Sequence, residues 1–301
     1  KPVGFYDPAN PARRGAEERD KDGETEGEDS GADNGEKYKT IEEDAENKRY
    51  PMLSFANTDM AFHGNILVTG SYHGFNIYLI GEEGSPTLLT SVICPGGQGD
   101  VSIVDNILIY SVEESRSRLD CGLQGVRSDA SPERFRGLRI FDISDLSRPR
   151  QVGAVQTCRG SHTHSVVNIP SLEDQILVYS SGIRGVREKD ELERCIEDIP
   201  GDERTALFRI DVIEIPKDDP SRSRILASPA VFADPETGTL AGLWRGGDHG
   251  DDSQETNITD HCHDITVFPL GNIAAGACSG NGILFDITNP IAPKRIDVVT
   301  D

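Results

Sequence analysis

Two short motifs hold the residues best suited to chemistry, His162-Thr-His164 and His261-Cys-His263. Imidazole titrates near neutral pH and is the commonest metal ligand. Residues two apart on a strand point to the same side, so each motif can present two rings together. His164, His263, His162 and His261 are therefore the candidate metal ligands. Copper, then zinc or nickel, is the order of affinity expected for such ligands, so copper or another transition metal is the expected cofactor. The alternative reading leaves all four histidines structural, bonding turns between sheets. Asp59, Asp100 and Asp264 stand beside matching places in the repeats described below, where they can orient a ligand or hold a turn. His249, in Gly246-Gly-Asp-His-Gly, lies in a loop able to cover such a site.

Other chemistry is thin. There is no Gly-x-Ser-x-Gly elbow and no phosphate loop. Gly96-Gly-Gln-Gly99 precedes a strand rather than a helix, so it is a turn and not a nucleotide cradle. The 52 acidic residues outnumber the 30 basic ones, for a net charge of −22. That balance speaks against binding nucleic acid, whose phosphates need a basic surface, and against anionic lipid. No run of apolar residues is long enough to span a membrane.

The elements that must position the histidines are short strands. The last forty residues divide into His263–Phe268, Asn272–Ala277, Gly282–Ile287 and Lys294–Val299. Each is rich in Ile, Val, Leu or Phe and bounded by turn residues. Four antiparallel strands in that length make one propeller blade. The unit recurs. GFNIYLI from Gly74, GLRIFDI from Gly137 and GILFDI from Gly282 are copies of one strand, with a fourth copy from Leu207. The fold class expected is all-β, a β-propeller of four-stranded antiparallel blades. About four blades lie in this chain, as part of a larger propeller.

The blades fall at about 51–94, 97–158, 162–228 and 261–301, with insertions at 113–136, 181–205 and 229–260. Residues 1–14 hold a short strand suited to closing a ring. Residues 15–48 are acidic and almost free of apolar side chains, so a disordered insert is expected there. In a propeller the first strand of each blade lines the channel and chain direction alternates. The three later insertions then all emerge on one end, here called the top, where long loops on a rigid scaffold carry function.

All six cysteines map to the top as well. Cys262 and Cys278 lie at opposite ends of a hairpin, facing one another across the ladder, and form an expected disulfide. Cys94, Cys121, Cys158 and Cys195 allow three pairings, and the sequence does not choose among them. Six cysteines without a Cys-x-x-Cys pattern favour an oxidising compartment: extracellular, cell surface or periplasmic.

The segments GLRIFDISD and GILFDITNP, with His263-Asp-Ile-Thr-Val entering a blade, resemble the LVIVD-repeat β-propellers. That resemblance implies a secreted or surface-associated bacterial protein. A more distant similarity is to the selenium-binding protein/methanethiol oxidase propellers. It implies copper held by channel-facing histidines, at His164 and His263 with His162 and His261 as helpers. Two functions follow. One is a binding or scaffolding module that takes a protein or small-molecule ligand on its top face. The other is a metal-dependent, copper-like oxidoreductase with a histidine site at the channel mouth.

Overall fold

The structure, a computed structural model, describes residues 56–299 other than 129, 168–172, 198, 200–201, 235–236, 241–242 and 251–252. The expected closing strand within 1–14 and the acidic insert at 15–48 lie outside the described residues. Among the described residues no helix is long and apolar enough to cross a membrane.

Among the described residues sixteen strands form four antiparallel sheets, each with its strands adjacent in sequence order. Blade 1 is β1 (Asn57–His63), β2 (Ile66–Ser71), β3 (Gly74–Ile80) and β4 (Pro86–Ile93). Blade 2 is β5 (Val101–Val104), β6 (Ile107–Val112), β7 (Gly137–Asp142) and β8 (Arg150–Gln156). Blade 3 is β9 (His164–Val167), β10 (Gln175–Ser180), β11 (Asp211–Pro216) and β12 (Arg224–Ala227). Blade 4 is β13 (Cys262–Phe268), β14 (Ile273–Cys278), β15 (Asn281–Asp286) and β16 (Lys294–Val299). These are propeller blades, their first strands side by side: β1 against β5, β5 against β9, β9 against β13. Among the described residues the four sheets do not close into a ring.

One strand departs from the expected pattern. The copy expected from Leu207 begins later, at Asp211. Phe208 has φ +62°, outside extended backbone, so the chain cannot enter the ladder there.

Alternation explains the packing. Each strand sends alternate side chains to the blade's front face, toward the next blade, and to its back face, toward the preceding one. Three apolar cores fill the three gaps. Val68, Phe75 and Ile77 of blade 1 meet Leu108, Tyr110 and Phe141 of blade 2. Ile109 and Ile140 meet Val178 and Ile213 between blades 2 and 3. Leu177 and Tyr179 meet Ile265 and Phe285 between blades 3 and 4. Polar bonds pin the inner strands. The Asp59 carboxylate accepts the Val101 N–H at 2.9 Å, and the Asp100 carboxylate accepts the His164 N–H at 2.8 Å. At the third junction the hydroxyls of Thr163 and Ser165 donate to the carbonyls of His263 and Ile265.

The cysteines form three disulfides: Cys94–Cys121, Cys158–Cys195 and Cys262–Cys278. The first two follow one rule. A cysteine just after the fourth strand of one blade is bonded to the long insertion of the next. A buried charge cluster then ties the two insertions together. The Glu191 carboxylate pairs with the guanidiniums of Arg134 and Arg187 and accepts the Ser131 N–H at 3.0 Å. All three side chains are almost wholly excluded from solvent.

Breaking a buried pair from one side leaves uncompensated charge, which costs about 3–5 kcal/mol. Glu191→Gln is expected to lower unfolding stability by about that amount in denaturant titration. A change smaller than about 1 kcal/mol would show that the cluster does not hold the insertions.

Candidate functional site

The top face holds a cleft of about 700 Å³, walled by the ends of β13, β14 and β15 and by the turns and loops around them. Glu113, His162, Arg184, His261 and His263 line it, with Tyr72 and Gln98. Three of the four histidines expected to act together therefore share one cavity. His164 is not among them.

The reason lies in strand register. β13 pairs with β14 through a shift between Cys262 and Asp264, a bulge that leaves His263 out of the ladder. The extra residue turns outward, and the His263 ring is more than half exposed. β9 has no such shift, and His164 pairs regularly with Ser180. Its ring is buried instead. Its Nδ1 lies 2.7 Å from Asp100 Oδ2 and 2.8 Å from Ser111 Oγ. Ser161 Oγ lies 2.9 Å from Ser111 Oγ, and the Ser180 hydroxyl donates to it over the same distance. This assembles Asp, His and Ser without making a nucleophilic triad. A triad needs carboxylate and hydroxyl on opposite ring nitrogens, and here both meet Nδ1. The network is a buried brace between blades 2 and 3.

The partner of His263 is His162. Their Nε2 atoms are 3.0 Å apart, with the rings edge to face. Each ring also has a carboxylate at Nδ1. Asp264 Oδ2 is 2.7 Å from His263 Nδ1, and Glu113 Oε2 is 2.9 Å from His162 Nδ1. The second approach is off-line, an ion-pair contact more than a directed hydrogen bond. A carboxylate at Nδ1 draws the ring proton to that nitrogen and leaves a lone pair on Nε2. Two such lone pairs facing each other at 3.0 Å repel unless a cation, a proton or a metal ion, sits between them. Burial pushes the Glu113 carboxyl up. The His162 imidazole and the Arg184 guanidinium outweigh it and hold the carboxyl below its ordinary pKa. The His162 pKa is raised, first by the Glu113 carboxylate beside its Nδ1.

His261 repeats the pattern. Asp260 holds its Nδ1, and the other Asp260 oxygen takes Arg159 at 2.9 Å. Among the described residues, however, no three His, Cys, Asp or Glu side chains converge to ligate one ion. His249 is stacked on Trp244 with ring centroids 3.8 Å apart; the pair sits against Gly280, beside the cleft, without lining it.

Glu113 and Arg184 escaped the sequence reading. The signal for Glu113 was present: a carboxylate directly after Ile107–Val112, a fully buried strand, must find a partner. The Gly96–Gly99 turn folds over it. A Cβ on Gly97, at φ +99°, would lie 2.6 Å from Glu113 Cγ, so this turn serves the acid beneath it.

Fold and cleft together define a β-propeller with a pocket at the top ends of its blades. No family profile matches the chain, and no curated protein does. Solved structures are similar to it at low identity. One is a functionally unknown protein from Desulfotomaculum acetoxidans DSM 771, 11% identical with a TM-score of 0.44 over 81% of this chain. This chain spans 56% of that protein's length. A periplasmic gluconolactonase, PpgL, from Pseudomonas aeruginosa is 9% identical with a TM-score of 0.38, over 81% of this chain and 72% of that one. The computationally designed Ika4 protein is 14% identical with a TM-score of 0.24, over 57% and 92%.

Asp100 allows a test of the brace. Burial raises its pKa, but the charge and hydrogen bonds of His164 outweigh that and hold it below the ordinary value. A depressed folded-state pKa contributes stability above the unfolded value that is lost as pH falls through the folded one. Asp100→Asn is expected to cost about 1–3 kcal/mol at neutral pH and to flatten the loss of stability below about pH 4. An acid limb identical to the parent's would remove Asp100 from the brace.

Proposed function

We propose that this chain is a binding module of an oxidising compartment, secreted or surface-associated, whose ligand site is the top-face cleft. Within it His162 and His263 hold a transition-metal ion, copper or a similar ion. The facing Nε2 pair carries this reading. Metal–imidazole bonds are about 2.0–2.1 Å long, so nitrogens 3.0 Å apart can both reach one ion. Carboxylates behind metal-binding imidazoles fix their tautomer and raise their basicity, and Glu113 and Asp264 stand in that position. His261 is near enough to line the same space, and small-molecule ligands from solvent would fill the remaining positions. The volume suits a small molecule, which commonly occupies about 300–1,000 Å³, and Arg184 favours one with an acidic group. The three disulfides support the compartment. The LVIVD-like repeat segments agree with a secreted or surface setting.

A second reading adds activity: a copper-dependent oxidoreductase acting on a small sulfur compound. It draws on the resemblance to the selenium-binding protein/methanethiol oxidase propellers. The cleft supports it only in that both histidines line it and His263 is exposed to solvent. Copper would supply the redox chemistry, while Arg184 and Tyr72 would orient the substrate.

The test is metal content and calorimetric titration with copper and zinc. Parent protein is expected to bind about one ion, His162→Ala and His263→Ala to weaken binding about 10–100-fold or more, and Glu113→Gln to weaken it within that range. His164→Ala is expected to keep the metal and lose stability. Equal affinity in all four variants and the parent would refute the metal site and leave the cleft to metal-free ligands.

A further inference from the structure

A second cavity, of about 530 Å³, lies at the top ends of β11 and β12, against the last residues of the 181–205 insertion. Its lining shares no residue with that of the cleft. Acidic residues outnumber basic ones 52 to 30 in this chain. In this cavity the balance is reversed: Arg159, Arg194, Arg204 and Arg209 meet only Glu203 and Asp211.

Arg159 and Arg204 have charged partners of their own, Asp260 at 2.9 Å and Asp202 at 2.7 Å. Arg194 and Arg209 form no ion pair among the described residues and donate to carbonyls instead. Arg209 bonds those of Thr205, Ser228 and Glu203 at 2.9, 2.7 and 2.6 Å. Arg194 bonds that of Gln156. A guanidinium carries more N–H donors than these bonds use, so both arginines keep donors to spare as well as their charge. The Ser228 hydroxyl donates to Asp211 at 2.6 Å. Burial pushes the Asp211 carboxyl up, and Arg194, Arg159 and Arg209 draw it back only in part. Glu203 is exposed to solvent. One buried carboxyl thus answers two unpaired guanidiniums, and positive charge is left unmatched.

The backbone bends to make this arrangement. Phe208, at φ +62°, takes a conformation that bulky residues seldom adopt, and its ring is buried in the core between blades 3 and 4. The next residue, Arg209, lines the cavity. Strained backbone concentrates at ligand sites, where surrounding contacts hold it in place. Such contacts are present here. Arg209 ties the end of the insertion to the end of β12, and the Cys158–Cys195 disulfide anchors the same insertion.

We propose that this cavity is a second ligand site, which takes a small hydroxylated acid. The acidic group, a carboxylate, sulfate or phosphate, lies on Arg194 and Arg209, whose planar forks match paired oxygens. The ligand's hydroxyls meet Asp211 and Glu203. The volume is within the range of about 300–1,000 Å³ usual for small-molecule sites.

The experiment is calorimetric titration of the full chain at low salt with glucuronate, a glucose sulfate, a glucose phosphate and glucose itself. These share a sugar ring and differ in the acidic group, so the acid that binds identifies that group. At least one of the three acids is expected to bind, and glucose to bind about tenfold more weakly or less. Arg194→Ala is expected to weaken the acid about 10–100-fold with unchanged circular dichroism. Arg194→Lys keeps the charge but loses the fork and should weaken it less. Arg184→Ala removes the arginine of the cleft and should leave this binding as it is. If Arg194→Ala fails to fold, Arg194→Gln replaces it. The proposal is overturned if no acid binds at millimolar concentration, if glucose binds as well as the acids, or if Arg194→Ala binds them as the parent does. Loss of binding in Arg184→Ala alone would move the acid to the cleft and overturn it too.

Discussion

A four-stranded sheet with apolar side chains on both faces is stable only between two neighbours. That constraint governs this molecule. Val68, Ile109 and Leu177 each point forward into a core completed by the next blade, and burying such a side chain is worth about 1.5–3 kcal/mol. No blade meets this requirement alone, so the blades form as a series, each completing the one before. The inner-strand bonds from Asp59, Asp100, Thr163 and Ser165 set the register of that series at its narrow end, where the first strands crowd together.

The cleft is a product of the same series. It opens where first strands meet the top-face loops, and its polar residues come from all four blades and two insertions. Glu113 follows β6, His162 precedes β9, and His263 sits in the bulge of β13. None can move far without disturbing a blade junction. Arg159 shows how tightly the two roles interlock: it bonds the Arg184 carbonyl and the Asp260 carboxylate, and Asp260 in turn holds His261.

Much of this was legible in the sequence because strands announce themselves by period and punctuation. β16 runs from Lys294 to Val299 as its pattern indicates, and Cys262 and Cys278 meet across their hairpin. What escaped depends on single backbone steps. The positive φ of Phe208 moves the start of β11, and no composition rule foretells it. The one-residue bulge before Asp264 sends His263 outward while His164, at the matching place, turns inward. Two histidines that look equivalent in the repeat therefore meet different environments, and His162 takes the place opposite His263. The pairing of the other four cysteines depends on where the insertions fold back, which the spacing does not encode.

The double fastening of the top-face loops has a further consequence. Cys121 and Cys195 anchor the two insertions to the blades behind them, and Glu191 locks one insertion to the other. Walls fixed in this way are set during folding, so an arriving ligand does not have to order them. The entropic penalty of assembling a pocket, commonly about 0.5–1.5 kcal/mol for each side chain immobilised on association, has already been met. Such a pocket selects by the shape and charge it presents at first encounter, and discrimination falls to its rim rather than to a closing lid.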